Sequence, residues 1–174
     1  MSAVVIIGLG NEAAHDDAIG IEVVRSLARP VPPAGLRLVE ADGDPARLLA
    51  AWEAAEVAVV VDAARVGSVA PVTVIDGEEA ALRGDDRRSS HGLGLAEAVE
   101  LGRALGRLPG RLVVVAVAGE RFEPGFGLSE TGRRNLGEAV AVVRRLTSAL
   151  GLDRRDGNVD EAPQAAGQIE TQPS

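Results

Sequence analysis

The 174-residue chain has no cysteine and no tyrosine, and only two phenylalanines and one tryptophan. Without cysteine there is no disulfide, no thiolate metal ligand and no cysteine nucleophile, a composition that suits a reducing cytosol. With aromatics at 2%, the core has to be Val, Leu, Ile and Ala. No apolar run approaches the roughly 20 residues needed to cross a bilayer, so no membrane association is expected. The N-terminus lacks a basic stretch followed by an apolar one, which argues against a signal peptide and for a cytoplasmic protein. A net charge of -8 leaves no basic footprint for a phosphate backbone, so nucleic acid is not an expected partner. No Gly-x-Ser-x-Gly elbow occurs, and the lysine of a phosphate-cradling loop is absent.

What is present is an alternation of apolar runs with helical patterns. The length, with 46% hydrophobic and 25% charged residues, points to one globular domain over 1–150. Residues 4–7 (VVII), 36–40 (LRLVE), 57–61 (VAVVV), 71–75 (PVTVI) and 111–117 (RLVVVAV) read as strands. The continuous β-branched runs mark strands covered on both faces. Helices are expected around Ile19, Ile21, Val23, Val24 and Leu27, from Asp44-Pro45 to about Ala55, over 93–108, and after Ser129, which is placed to cap the last of them. Only residues 63–70 separate the third strand from the fourth, too few for a parallel crossover, so the fourth should run antiparallel to the third. Residues 76–90 read as a polar, irregular loop. From Gly151 to Ser174 the pattern stops in Asp, Arg, Gly, Asn, Pro and Gln, as a disordered tail would. The expected fold is a three-layer α/β/α sandwich around an about five-stranded, mostly parallel sheet with one antiparallel strand.

Ligands of such sheets bind beyond the carboxyl ends of the strands. Asp17 follows the first strand, Asp42 the second and Asp62 the third. Asp16 and Asp17 could cap a helix, but capping needs one aspartate and not two. Asp62 ends an apolar strand, where a buried carboxylate requires a compensating partner; Arg65 is the structural one the sequence offers. His91 stands at a helix start, where the dipole favours neutral imidazole, the metal-ligating form. His15, the other histidine, is expected to be exposed. Two carboxylates and an imidazole would make an O,N site suited to Ni, Zn, Mn or Fe. Gly8-Leu9-Gly10-Asn11-Glu12-Ala13 also fits the loose dinucleotide pattern, but two aspartates at the helix start would repel a pyrophosphate. Phe122 and Phe126 either flank the site and grip a substrate or plug the core.

In order along the chain, Gly-Leu-Gly-Asn at 8–11, Asp-Asp-Ala-Ile-Gly at 16–20, Asp62-Ala63, Ser-His-Gly-Leu-Gly-Leu at 90–95 and Phe-Glu-Pro-Gly-Phe-Gly-Leu-Ser at 122–129 resemble the nickel-iron hydrogenase maturation endopeptidases. The resemblance spans residues 3 to 150. It implies an aspartyl-type endopeptidase that removes a C-terminal extension from a hydrogenase large subunit precursor after nickel insertion. By matching positions, it implies metal recognition by Asp17, Asp62 and His91, catalytic roles among Asp17, Asp42 and Asp62, and nickel contributed by the substrate. It also implies that the fifth strand lies between the third and fourth. A non-proteolytic metal-binding or chaperone-like module of hydrogenase assembly would use the same ligands without cleavage.

Overall fold

Six successive residues of the first strand, β1 (Val4–Leu9), are buried. In this computed structural model, which describes residues 4–29, 31–32, 35–67, 70–82 and 92–150, that strand has neighbours on both sides. The others are β2 (Leu36–Ala41), β3 (Val57–Arg65), β4 (Val72–Asp76) and β5 (Arg111–Gly119). Their spatial order is β2-β1-β3-β5-β4. Every pairing is parallel except β4 with β5. The short connection after β3 therefore reverses the chain, as its length demands, and β4 reaches its place by stepping past β5.

The helices are α1 (Ile19–Leu27), α2 (Pro45–Trp52), α3 (Gly77–Leu82), α4 (Gly92–Leu105) and α5 (Glu130–Ala149). The two-residue period of the strands sorts the core into two halves. Val4, Ile6, Val59, Val61 and Ala63 face α1 and α5, meeting Ile19, Val23, Ala139 and Val143. Val5, Ile7, Leu9, Ala58 and Val60 face α2 and α4, meeting Leu48, Trp52, Leu95 and Val99. This is the three-layer α/β/α sandwich expected from the alternation.

Several boundaries differ from the sequence reading. Strand β3 does not end before Asp62 but runs on to Arg65, so Asp62 lies within the strand, opposite Ala116 of β5. Residues 77–82 form a short helix inside the stretch expected to be an irregular loop; Asp76 starts it by accepting from the Glu78 N–H at 3.0 Å. The second helix ends at Trp52, and Ala54 takes a left-handed φ of 59° two residues later. The helix expected over 93–108 stops at Leu105, because Gly106 turns to φ 64°. The remaining expectations for 83–91 and 151–174, tail included, fall outside the described residues.

Glycines bring α1 against the sheet. A Cβ on Gly8 would lie 2.1 Å from the Gly20 carbonyl oxygen, and one on Gly20 would lie 2.2 Å from that of Leu9 and 2.4 Å from that of Val61. Backbone meets backbone there, so no side chain can swing aside. Gly20→Ala is therefore expected to lower stability by about 3 kcal/mol, the upper range for overpacking, measured by urea denaturation. An unchanged midpoint would mean that α1 is not seated this closely.

Candidate active site at the carboxyl edge of the sheet

Between β1 and α1 the chain makes a 3-10 turn, His15–Ala18, that carries Asp16 and Asp17. Neither residue caps α1, whose N-cap is Ala18 with no side-chain bond. The two carboxylates have separate tasks. Asp16 is 0% exposed. Its Oδ2 accepts from the Glu120 N–H at 2.7 Å, the Arg121 N–H at 3.0 Å and the Ser129 hydroxyl at 2.6 Å, and its Oδ1 accepts from the Ser129 N–H at 2.7 Å. Gly119 and Gly132 leave room for it, since a Cβ on either would fall within 2.7 Å of the Asp16 side chain. Burial, the largest single influence, pushes this carboxyl up. Bonds from the Ser129 hydroxyl and from the N–H groups of Arg121, Glu120 and Ser129 together outweigh it and hold the group below the usual carboxylate range. Asp16 is thus an anchor. It ties the 120–129 loop to the turn, while Ser129 itself caps α5 through the Gly132 N–H at 2.9 Å.

Asp17 is 4% exposed and Asp62 5%. The 3-10 turn that carries Asp17 packs against β3, which carries Asp62. Oδ1 of Asp62 accepts from the Ala63 N–H at 2.9 Å. Strand alternation turns Asp62 toward the face covered by α2 and α4. Arg65, the structural partner the sequence offered for Asp62, lies over the Phe122 ring, 4.9 Å from its centroid. Asp42 is different again: exposed, 2.6 Å from Nη1 of Arg47, and accepting from the Asp44 N–H at 3.2 Å. It borders an open cleft of about 400 Å³ with the 10–13 turn, Ile21 and Phe126. The cleft adjoins the Asp17 turn, because a Cβ on Gly10 would meet the Asp17 carbonyl oxygen at 2.4 Å.

His91, the third expected metal ligand, lies outside the described residues. The helix that follows it, α4, opens at Gly92, and Gly94 is pressed so closely on the Gly43 carbonyl that a Cβ would lie 2.0 Å from its oxygen. This seats the first turns of α4 against the chain that leaves β2, beside Asp42. Among the described residues no three His, Asp or Glu side chains form a metal-sized group.

His15, expected to be exposed, is buried, with a left-handed φ of 49°. Its Nδ1 is 2.8 Å from the Gly127 carbonyl oxygen and its Nε2 is 3.1 Å from Nη2 of Arg121. Arginine only donates, so Nε2 accepts and the proton sits on Nδ1. The ring packs on Gly125, where a Cβ would lie 2.1 Å from Nε2. The hint in the sequence was Gly125, which leaves space for a ring contributed from elsewhere. The two phenylalanines also divide: Phe122 packs on the core and Phe126 is 81% exposed.

A sequence model of the hydrogenase maturation proteases matches residues 21–145. The chain belongs to the hydrogenase maturation protease family. The matched span includes Asp42, Asp62 and His91, and Asp17 lies four residues ahead of it. The hydrogenase 2 maturation protease of Escherichia coli K12 is 27% identical over 153 residues, covering 86% of this chain and 93% of the relative. The hydrogenase expression/formation protein HupD of Rhodobacter capsulatus is 26% identical over 158 residues, covering 88% and 75%. The structure of the E. coli maturating endopeptidase HybD aligns with a TM-score of 0.77 at 26% identity, over 85% of this chain and 93% of that one. The [NiFe] hydrogenase maturation protease HybD of Thermococcus kodakarensis gives 0.68 at 26% identity, over 82% and 97%. As a member of this family the chain is a peptidase of hydrogenase maturation. Among the described residues no helix is long and apolar enough to cross a membrane.

Proposed function

We propose that this peptidase works in the cytoplasm and removes the C-terminal extension of a hydrogenase large subunit precursor after nickel insertion, recognising the substrate's nickel through Asp17, Asp62 and His91. The observation that carries the reading is the pair of carboxylates, Asp17 and Asp62, set almost wholly out of solvent at the carboxyl edge of the sheet. Ligands of such sheets bind at this edge, and carboxylates there are oxygen donors of the kind that a divalent ion brought by the substrate takes. Oxygen donors with a single imidazole suit nickel, though they suit other first-row ions as well. The strand period also favours this set, since it turns Asp62 to the face on which α4, the helix following His91, begins.

Held by these side chains, the substrate's ion supplies Lewis acidity toward the scissile carbonyl. The chain's own part is to position the peptide and to move a proton. In this reading the proton of the attacking water goes to a carboxylate, either Asp17 or the exposed Asp42. In either case hydrolysis adds one water across the peptide bond, its proton passing through the carboxylate to the departing amine. Incubation of the purified protein with precursor, loaded with nickel or lacking it, tests the proposal. Shortening of the loaded precursor alone is the expected result. Tight binding without shortening would identify a chaperone-like module, and equal cleavage of both forms would remove nickel from the recognition step.

A further inference from the structure

Phe126 is the most exposed large hydrophobic side chain among the described residues, at 81%, and it is not at the tip of a loose loop. Gly125 before it donates to the Ala13 carbonyl at 2.9 Å and accepts from the His15 N–H at 3.0 Å, making an isolated bridge with Ala14. Gly127 after it accepts from Nδ1 of His15 at 2.8 Å. Both glycines take φ values, 155° and 83°, that a side chain would resist. Two residues further on, Ser129 is held by Asp16. The chain thus clamps both neighbours of Phe126 and leaves its ring in water, the arrangement of a preorganised contact residue.

The ring borders the cleft of about 400 Å³ that it shares with Ala13, Ile21 and Asp42. That volume accommodates one or two side chains of a polypeptide lying across it. The acids at the rim are paired with arginines: Glu12 lies 2.5 Å from Nη1 of Arg25, and Asp42 lies 2.6 Å from that of Arg47. Arg25 is shared with Glu22 and Glu40 as well, so the rim is net negative and disfavours an acidic group, whereas Phe126, Ile21 and Ala13 offer apolar surface. Gly10, which lines the cleft, also packs on the backbone of the Asp17 turn, where a Cβ would lie 2.4 Å from the Asp17 carbonyl oxygen.

We propose that Phe126 is a specificity-determining residue that receives an uncharged, apolar side chain of the substrate polypeptide, next to the scissile bond, as the chain runs extended along this cleft. The proposal rests on the peptidase reading above. Phe126→Ala should raise KM for precursor processing about tenfold, the effect of losing one aromatic anchor, with kcat changed less than twofold and the melting temperature unchanged. Phe126→Leu should recover most of the loss. Replacing the apolar residues beside the scissile bond with serine should raise KM with the wild-type enzyme but add little to the Phe126→Ala defect, because coupled partners are not additive.

If wild type shortens the precursor and Phe126→Ala keeps its KM, the assignment of Phe126 is overturned while the peptidase reading stands. Independent, multiplicative effects of the enzyme and substrate changes would also overturn it. So would a self-association that light scattering shows to vanish in Phe126→Ala with KM unaffected, since the occupant would then be a second copy. If wild type fails to shorten the precursor, the failure belongs to the peptidase reading, and photo-crosslinking from Phe126→p-benzoylphenylalanine decides the docking claim by itself. A crosslink to the apolar segment near the precursor's C-terminus supports it, and a crosslink elsewhere or none at all overturns it.

Discussion

Asp16→Ala is expected to cost about 4–5 kcal/mol of stability. The change deletes an acceptor used by three backbone N–H groups and one hydroxyl. The donors remain where they are, and each one left unpaired in a buried place costs about 1–3 kcal/mol. Ser129 keeps its cap on α5 through Gly132, so the loss falls short of the full sum. The loop bearing Phe126 should lose its protection in amide hydrogen exchange at Glu120, Arg121 and Ser129 before the strands do. The same group sets an acid limit. Its folded carboxyl titrates below its unfolded one, so the stabilisation is complete above the unfolded value of about 3.9. It fades as pH falls below about 4 and through the folded value. Wild type and Asp16→Ala should therefore converge in stability as the solution is acidified below that point. A constant gap down to the lowest accessible pH would contradict the assigned shift.

How far the sequence anticipated this edge depends on the range of each interaction. The strands were legible because β-branched runs such as VVII and VAVVV can be buried on both faces only inside a covered sheet. The reversal into β4 was legible because chain length limits a crossover. Asp62 stood out because it is a carboxylate directly after an apolar run, where burial requires a compensating partner. By contrast, Asp16 and Asp17 are identical neighbours, and nothing local divides them. What separates them is Ser129, 113 residues away. His15 was misjudged for the same reason, since its partners lie 106 and 112 residues further along. Helix α3 was missed because six residues are too few to display a period, and its glutamates look like loop polarity. Glycine carried more information than the aspartates did. Gly119, Gly125 and Gly132 each vacate the volume that a side chain from the His15–Ala18 turn fills.

Asp62→Asn and Asp17→Asn should separate activity from stability in the opposite sense to Asp16→Ala. Asparagine keeps the size of aspartate, and at position 62 it can still accept from the Ala63 N–H through Oδ1. Stability is therefore expected to change by about 1 kcal/mol, the typical effect of a substitution that preserves shape, and far less than in Asp16→Ala. The negative charge is gone, however, and with it the compensation for a substrate-borne cation. Precursor processing is expected to fall by about 10³-fold or more in each variant, as when a preorganised electrostatic group is removed from a reaction centre. Asp42→Asn provides the internal comparison. Its carboxylate is exposed and shared with Arg47, so a positioning role predicts a loss of only about tenfold, largely in KM. A loss at Asp42 equal to that at Asp17, falling on kcat, would move proton transfer from the buried edge to the cleft. If all three asparagine variants process precursor at the wild-type rate, the carboxyl edge of this sheet is not where the peptide bond is broken.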